Sequence, residues 1–171
     1  MKNEIEYKFT VDEAQLPDLS KFGKAIITQG YLSYDPSIRV RRNVNINAPF
    51  ENHNGEYAFL TIKGHGSFRR REFEKRIDLN DCFELLNMAQ NIIIEKTRYF
   101  IPNDKETYWE IDVYQNIFLD MDKIPLIVAE LEIPEENYKF SKPVWIKEDV
   151  TNNSLYSNAN LSKTGYVLRI G

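Results

Sequence analysis

The 171-residue sequence predicts a mainly β domain of the α+β class, a largely antiparallel sheet with a few helices packed outside it. Three observations predict this. Apolar and polar residues alternate over most of the chain, the period-2 signature of strands. Turn signals separate several of the alternating runs: Asp35-Pro36-Ser37, Lys63-Gly64-His65-Gly66-Ser67 and Pro102-Asn103-Asp104. On run after run, the charged side chains keep one parity and the apolar ones the other.

In chain order, strands are expected at 3–10, 28–34, 38–44, 57–63, 70–78, 94–101, 107–114 and 126–133, with a shorter one near 165–170. Segment 43–56, rich in asparagine and carrying Pro49, His53 and Gly55, reads as an extended hairpin loop. Helical periodicity is clearest at 81–91, where Asn80 or Asp81 can cap and Phe83, Leu86 and Met88 face inward. Segments 11–22 and 134–140 also read as helical, with less regular patterning. No repeat, low-complexity tract or linker divides the chain, so 1–171 is read as one domain.

Composition excludes several classes. A hydrophobic share of 42% and a charged share of 28% are those of a globular protein. A net charge of −4 argues against long nucleic acids, since no basic surplus exists to replace their counterions. The single cysteine, Cys82, rules out an intrachain disulfide framework and reads as a small buried hydrophobe on the helix. Neither a signal-type apolar stretch nor a run of about 20 apolar residues is present, so no membrane association and a cytoplasmic location are expected. His53 and His65 fall in loops without ligand spacing. Gly64-His65-Gly66 lacks the remainder of a phosphate loop and reads as a strand-joining turn.

The charge parity carries the chemistry. Glu4, Glu6 and Lys8 occupy alternate positions of the first strand, so two carboxylates and an ammonium share a face about 6.5–7 Å apart, with Ile5, Tyr7 and Phe9 on the other. Carboxylates that close repel one another unless a cation or proton intervenes, or unless the face is well hydrated. The same sharing recurs for Arg39 and Arg41, for Glu72, Glu74 and Arg76, for Lys96 and Arg98, for Glu110 and Asp112, and for Glu130 and Glu132, while Lys63 ends its strand. Such a face can meet bulk water on an open sheet. If the sheet instead closes into a barrel of about eight strands, the charged parity lines an interior just wide enough for a small ligand. Seven bases converging there suit a compact polyanion, and eight acids suit divalent cations that bridge to it.

These residues carry a family resemblance. Glu4-Ile5-Glu6-Tyr7-Lys8, Arg39-Val40-Arg41, Thr61-Ile62-Lys63-Gly64, Arg70-Arg71-Glu72-Phe73-Glu74, Lys96-Thr97-Arg98, Glu110-Ile111-Asp112 and Glu130-Leu131-Glu132 resemble, in order and spacing, the CYTH domain or triphosphate tunnel metalloenzyme superfamily. The tail, Glu148-Asp149-Val150-Thr151 and then 156–161, is similar to that of small bacterial members that act on inorganic polyphosphates. The resemblance implies an eight-stranded antiparallel tunnel with helices outside, in which a triphosphate is hydrolysed with Mg²⁺ or Mn²⁺. It implies phosphate binding by Lys8, Arg39, Arg41, Lys63, Lys96 and Arg98, with Arg76 on the same parity. It further implies metal binding by Glu4, Glu6, Glu130 and Glu132, with Glu72, Glu74, Glu110 and Asp112 as supporting acids. Lys8 beside the Glu4 and Glu6 pair would form the catalytic centre.

Two features modify this expectation. The 43–56 loop departs from the family pattern by its length and is long enough to cover one tunnel mouth. The tail over 154–163 reads either as a short polar helix over a mouth or as an ordinary surface terminus. A nucleotide-acting member of the same fold (a class IV-type adenylate cyclase, a thiamine triphosphatase or a nucleoside or RNA triphosphatase) shares the anchors. Such an enzyme needs an aromatic pocket, and Trp109 falls on the apolar parity. A non-catalytic polyphosphate- or nucleotide-binding module is the alternative from outside enzymology, for which the acids are surplus. A small triphosphate or polyphosphate is the expected partner, and a homodimer is an assembly common among relatives.

Overall fold

The computed structural model describes residues 1–50 and 54–168. Eight strands form the body: β1 (Lys2–Val11), β2 (Lys24–Tyr34), β3 (Ser37–Ile46), β4 (Gly55–Lys63), β5 (Arg69–Ile77), β6 (Gln90–Pro102), β7 (Tyr108–Leu119) and β8 (Ile124–Glu132). Their neighbour order is β7-β6-β2-β3-β4-β5-β1-β8, and β8 pairs back onto β7. Every one of these pairings is antiparallel, so the sheet closes into a barrel without a free edge. Helix α1 (Leu79–Asn87), a short strand β9 (Ile146–Asp149) on β1, helix α2 (Asn158–Thr164) and a two-residue β10 (Tyr166–Val167), parallel to β7, complete the description.

The parity rule sorts the side chains as the alternation requires. On β1, β7 and β8, Ile5, Phe9, Trp109, Ile111, Ala129 and Leu131 point outward into one apolar cluster. Segment 134–146 covers this cluster, with Trp145 edge-on to Trp109 at 5.4 Å between ring centroids. Trp109 is thus core, as its parity predicts. Each such large apolar side chain removed from water stabilises the fold by about 1.5–3 kcal/mol. Helix α1 covers β3 and β4, setting Cys82 and Leu86 on Val40 and Ala58. Cys82 is buried, as expected.

Several element expectations need correction. The cap of α1 is Asp78, which accepts from the Asn80 backbone N–H at 2.8 Å, and β6 begins at Gln90 inside the expected helix. Segment 11–22 forms two separate 3-10 turns, Glu13–Gln15 and Leu19–Lys21, each capped by an aspartate, because Pro17 between them cannot continue a helix. Segment 134–140 contains no helix. The β3–β4 hairpin is longer in strand and shorter in loop than expected: β3 runs to Ile46 and β4 starts at Gly55. Phe50 in this loop packs edge-on against Phe100 and Tyr108, which continue the inward parity beyond Arg98 and Glu110. His53 lies outside the described residues, and His65 is solvent-exposed. Among the described residues, no helix is long and apolar enough to cross a membrane.

Candidate active site

The opposite parity lines a cavity of about 370 Å³ inside the barrel, a size suited to a small ligand. Its wall includes Glu4, Glu6, Lys8, Arg39, Arg41, Lys63, Arg70, Glu72, Glu74, Arg98, Glu110, Glu130 and Glu132. The tail supplies the remaining side. The Lys8 backbone N–H donates to Thr151 Oγ1 and the Val150 N–H to the Lys8 carbonyl, which lays the tail across the end of β1. Ser154, Ser157, Asn158 and Ala159 then line the cavity. Of the two readings of 154–163, the short polar helix at the cavity is the one observed, as the turn at Ser154–Tyr156 followed by α2.

Three of the expected residues stand off the cavity wall. Lys96 and Asp112 are fully buried behind it, joined by an ion pair of 2.6 Å, with Lys96 also over the Tyr114 ring. Arg76 has the inward parity but sits at the strand's end, exposed, with its guanidinium 4.4 Å above the Tyr57 ring. Two charged wall residues were not anticipated, Lys2, which pairs with Glu132 at the rim, and Arg70. Arg70 shares the parity of Glu72 and Glu74, and the tight β4–β5 turn brings it round to face β1. That turn needs Gly66, whose φ of +123° would set a Cβ 2.4 Å from the Arg69 carbonyl oxygen.

The acids and bases interlock. Lys63 donates to both oxygens of Glu4 at 3.0 and 2.8 Å and lies 3.4 Å from Glu72. Arg70 bridges the β1 pair, through Nε to Glu4 at 3.0 Å and through NH2 to Glu6 at 3.3 Å. Arg98 joins Asp112 at 2.7 and 2.9 Å, Glu130 at 3.0 Å, and Glu110. Lys8 reaches Glu130 at 3.2 Å and donates to the Tyr156 carbonyl at 3.1 Å. Among the described residues, no three acids form a ready ligand cluster. Basic side chains hold them instead.

Electrostatics sets each group's protonation. Burial would raise Glu4, but Lys63 and Arg70 outweigh it and hold the carboxyl at about 2. Glu6 goes the other way: burial, reinforced by Glu130 and Glu4, lifts it to about 7 against Lys63 and Lys8. Burial similarly brings Glu110 to about 7 despite Arg98. Burial would lower Lys8, yet Glu130 and Glu6 prevail and raise it, so Lys8 is an ammonium at neutral pH and no base. Burial would also raise Glu130, but Lys8 and Arg98 hold it well below the carboxylate range.

Two cations lack such partners. Arg39 and Arg41 are set on one face of β3, and among the described residues neither has a carboxylate within ion-pair distance. Arg39 NH2 makes a long bond of 3.4 Å to Thr61, and its buried Nε donates to no described atom. Arg41 Nε donates to Gln29 at 2.8 Å, while burial beside Arg39 and Arg98 brings the guanidinium down to about 10. Buried donors of this kind are costly until an anion takes them.

This closed barrel with an ionic interior is matched by the CYTH domain family over residues 2–166. The chain belongs to the CYTH domain family. Across 168 residues it is 34% identical to an inorganic triphosphatase of Acetivibrio thermocellus, covering 97% of each chain. An inorganic triphosphatase of Nitrosomonas europaea is 30% identical over 162 residues, 93% of this chain and 96% of its own. The crystal structure of an inorganic triphosphatase superposes with a TM-score of 0.61 at 29% identity, covering 95% of both chains. A Pyrococcus horikoshii OT3 protein at 20% identity and TM-score 0.56 shares the fold, over 78% of this chain and 80% of its own.

Proposed function

We propose that this CYTH protein is an inorganic triphosphatase that hydrolyses tripolyphosphate inside its barrel with Mg²⁺ or Mn²⁺. The observation that carries the reading is the pair of guanidiniums on β3, Arg39 buried and Arg41 half-buried, without carboxylate partners among the described residues and facing a cavity of small-anion size. Forked donors match phosphate oxygens, and Lys63 and Lys8 on the same wall add point charge. The relatives named inorganic triphosphatase support the choice of anion. So does the lining: Tyr31 is the one aromatic among the described wall residues, and one face of its ring is taken by Tyr34.

The acids fit a hard divalent cation. Glu6 and Glu130 crowd each other, and among the described residues Glu130 Oε1 accepts no hydrogen bond and has only its ion pair to Lys8. Glu4, Glu6, Glu130 and Glu132 would hold Mg²⁺ or Mn²⁺, which supplies charge neutralisation at the phosphate oxygens and a more acidic water. Arg39 and Arg41 orient the triphosphate along the cavity. Lys8 stabilises charge on the terminal phosphoryl group as water attacks phosphorus and the bond to the bridging oxygen breaks. The products are orthophosphate and pyrophosphate. Positioning and electrostatics supply most of the rate in such a loose transition state.

Phosphate release from tripolyphosphate, ATP and thiamine triphosphate, each with Mg²⁺ and with Mn²⁺, tests the proposal, with Glu6→Gln as the metal-site control. Tripolyphosphate should be the preferred substrate. Preference for ATP, or cyclic AMP formation, would favour a nucleotide-acting enzyme. Tight binding without turnover would favour a binding module.

A further inference from the structure

Resting on that reading, we propose that Arg70 is a latch that occupies the place of a divalent cation between Glu4 and Glu6, and that passes to the phosphate when a cation arrives. Its fork spans the two carboxylates, with Nε on Glu4 at 3.0 Å and NH2 on Glu6 at 3.3 Å. A guanidinium in that position does electrostatically what a bridging cation would do, since each carboxylate on the β1 face needs a positive neighbour.

Among the described residues Lys2, at the cavity rim, pairs with Glu132 alone and its side chain is 58% exposed; among the ion-paired bases deeper in the wall, Arg70 is the least fixed. Arg98 is fixed by three carboxylates, Lys8 by Glu130 and a backbone carbonyl, and Lys63 by Glu4 and Glu72. Among the described residues Arg70 forms ion pairs only with two of the acids proposed to bind metal, and its side chain is 22% exposed against 10–12% for those three bases. It can therefore leave without breaking another pair or crossing the core. It starts from β5 on the cavity wall that it shares with Arg39 and Lys63, so a rotation about its own side-chain bonds keeps it in the cavity. There its free donors suit the oxygens of the terminal phosphoryl group. The latch also gives Glu6 a cationic partner whenever no metal is bound, and adds to the one that Glu4 already has in Lys63.

The two halves of the role predict opposite effects of one substitution. In Arg70→Gln the competitor for the carboxylates is gone, so Mn²⁺ binding without substrate should tighten by about tenfold, the equivalent of one charge-assisted contact. The KM for tripolyphosphate should rise by at least a similar factor. Mn²⁺ affinity is read by calorimetry and by the electron paramagnetic resonance of free Mn²⁺, at alkaline pH so that protons do not compete for Glu6. Arg70→Lys keeps the charge without the fork, and should lie between wild type and Arg70→Gln in Mn²⁺ affinity. Unchanged or weaker Mn²⁺ binding in a folded Arg70→Gln protein overturns the latch. If Arg70→Gln does not fold, Arg70→Lys decides: Mn²⁺ affinity and KM equal to wild type overturn it. Loss of tripolyphosphate turnover in wild type would sink the hydrolase reading alone, because the Mn²⁺ titrations stand without it. Turnover with no Mn²⁺ uptake by any variant would sink the latch and leave the hydrolase.

Discussion

Neutralising Asp112 should unfold the barrel more readily than any surface substitution. Asp112 and Lys96 are both fully buried and meet at 2.6 Å, and Arg98 donates to the same carboxylate at 2.7 and 2.9 Å. In Asp112→Asn, Arg98 keeps Glu110 and Glu130, but Lys96 loses its one ion pair among the described residues. Breaking a buried pair by removing one partner costs about 3–5 kcal/mol. For a domain of this size each kcal/mol lowers Tm by about 2–4 °C, so the fall should be about 6–20 °C. Thermal unfolding followed by far-ultraviolet circular dichroism measures it. The cause is separable by a double-mutant cycle. Lys96→Met combined with Asp112→Asn removes the stranded Lys96 amine, which burial brings down to about 7 even beside Asp112, and should recover about 1–3 kcal/mol relative to the sum of the single effects. A loss under about 1 kcal/mol, the range of exposed ion pairs, or strict additivity in the cycle would refute a buried ionic layer behind the cavity wall.

Two further predictions follow from the site. Lys8→Ala should lower kcat for tripolyphosphate by about 10²–10³-fold, because Lys8 faces the reacting phosphoryl group, and should leave the fold intact because Glu130 retains Arg98 at 3.0 Å; near-normal turnover contradicts the role. Glu6, lifted to about 7 by burial and by its acidic neighbours, holds its proton in mildly acidic solution, where a divalent cation must displace it. Mn²⁺ titration there should release close to one proton, with release fading as pH rises through about 7, and Glu6→Gln should abolish it; pH-independent binding contradicts the assignment.

Much of this was legible in the sequence, because period-2 parity survives barrel closure unchanged. Once Glu4 and Glu6 are assigned to one side of β1, the ladder carries the assignment to Glu130 and Glu132 on β8 and from there to Glu110 on β7. What stayed hidden depends on strand stagger and long-range contact. Arg70 sits in a run of three arginines, and only its shared parity with Glu72 and Glu74 marks it out. Arg76 keeps that parity but lies at the strand's end, where Tyr57 takes it. Lys96 and Asp112 point inward too, yet below the wall, a depth no alternation encodes. The tail's place at the cavity arises from bonds between Lys8 and residues more than 140 positions away. The polar stretch around Pro134 and Pro143 packs as coil over the outer apolar cluster, where aromatic contacts such as Phe140 and Trp145 on Trp109 substitute for helix formation.

The most direct test compares tripolyphosphate turnover by wild type and by Arg39→Ala/Arg41→Ala, followed by ³¹P nuclear magnetic resonance with Mg²⁺ present. Wild type should yield one orthophosphate and one pyrophosphate per substrate, and the double variant should show a KM raised by about 10²-fold or more, since each charged contact contributes about 1.5–3 kcal/mol. Equal KM values for the two proteins, or no phosphate signals from wild type, would contradict a triphosphate held by the guanidiniums inside the barrel.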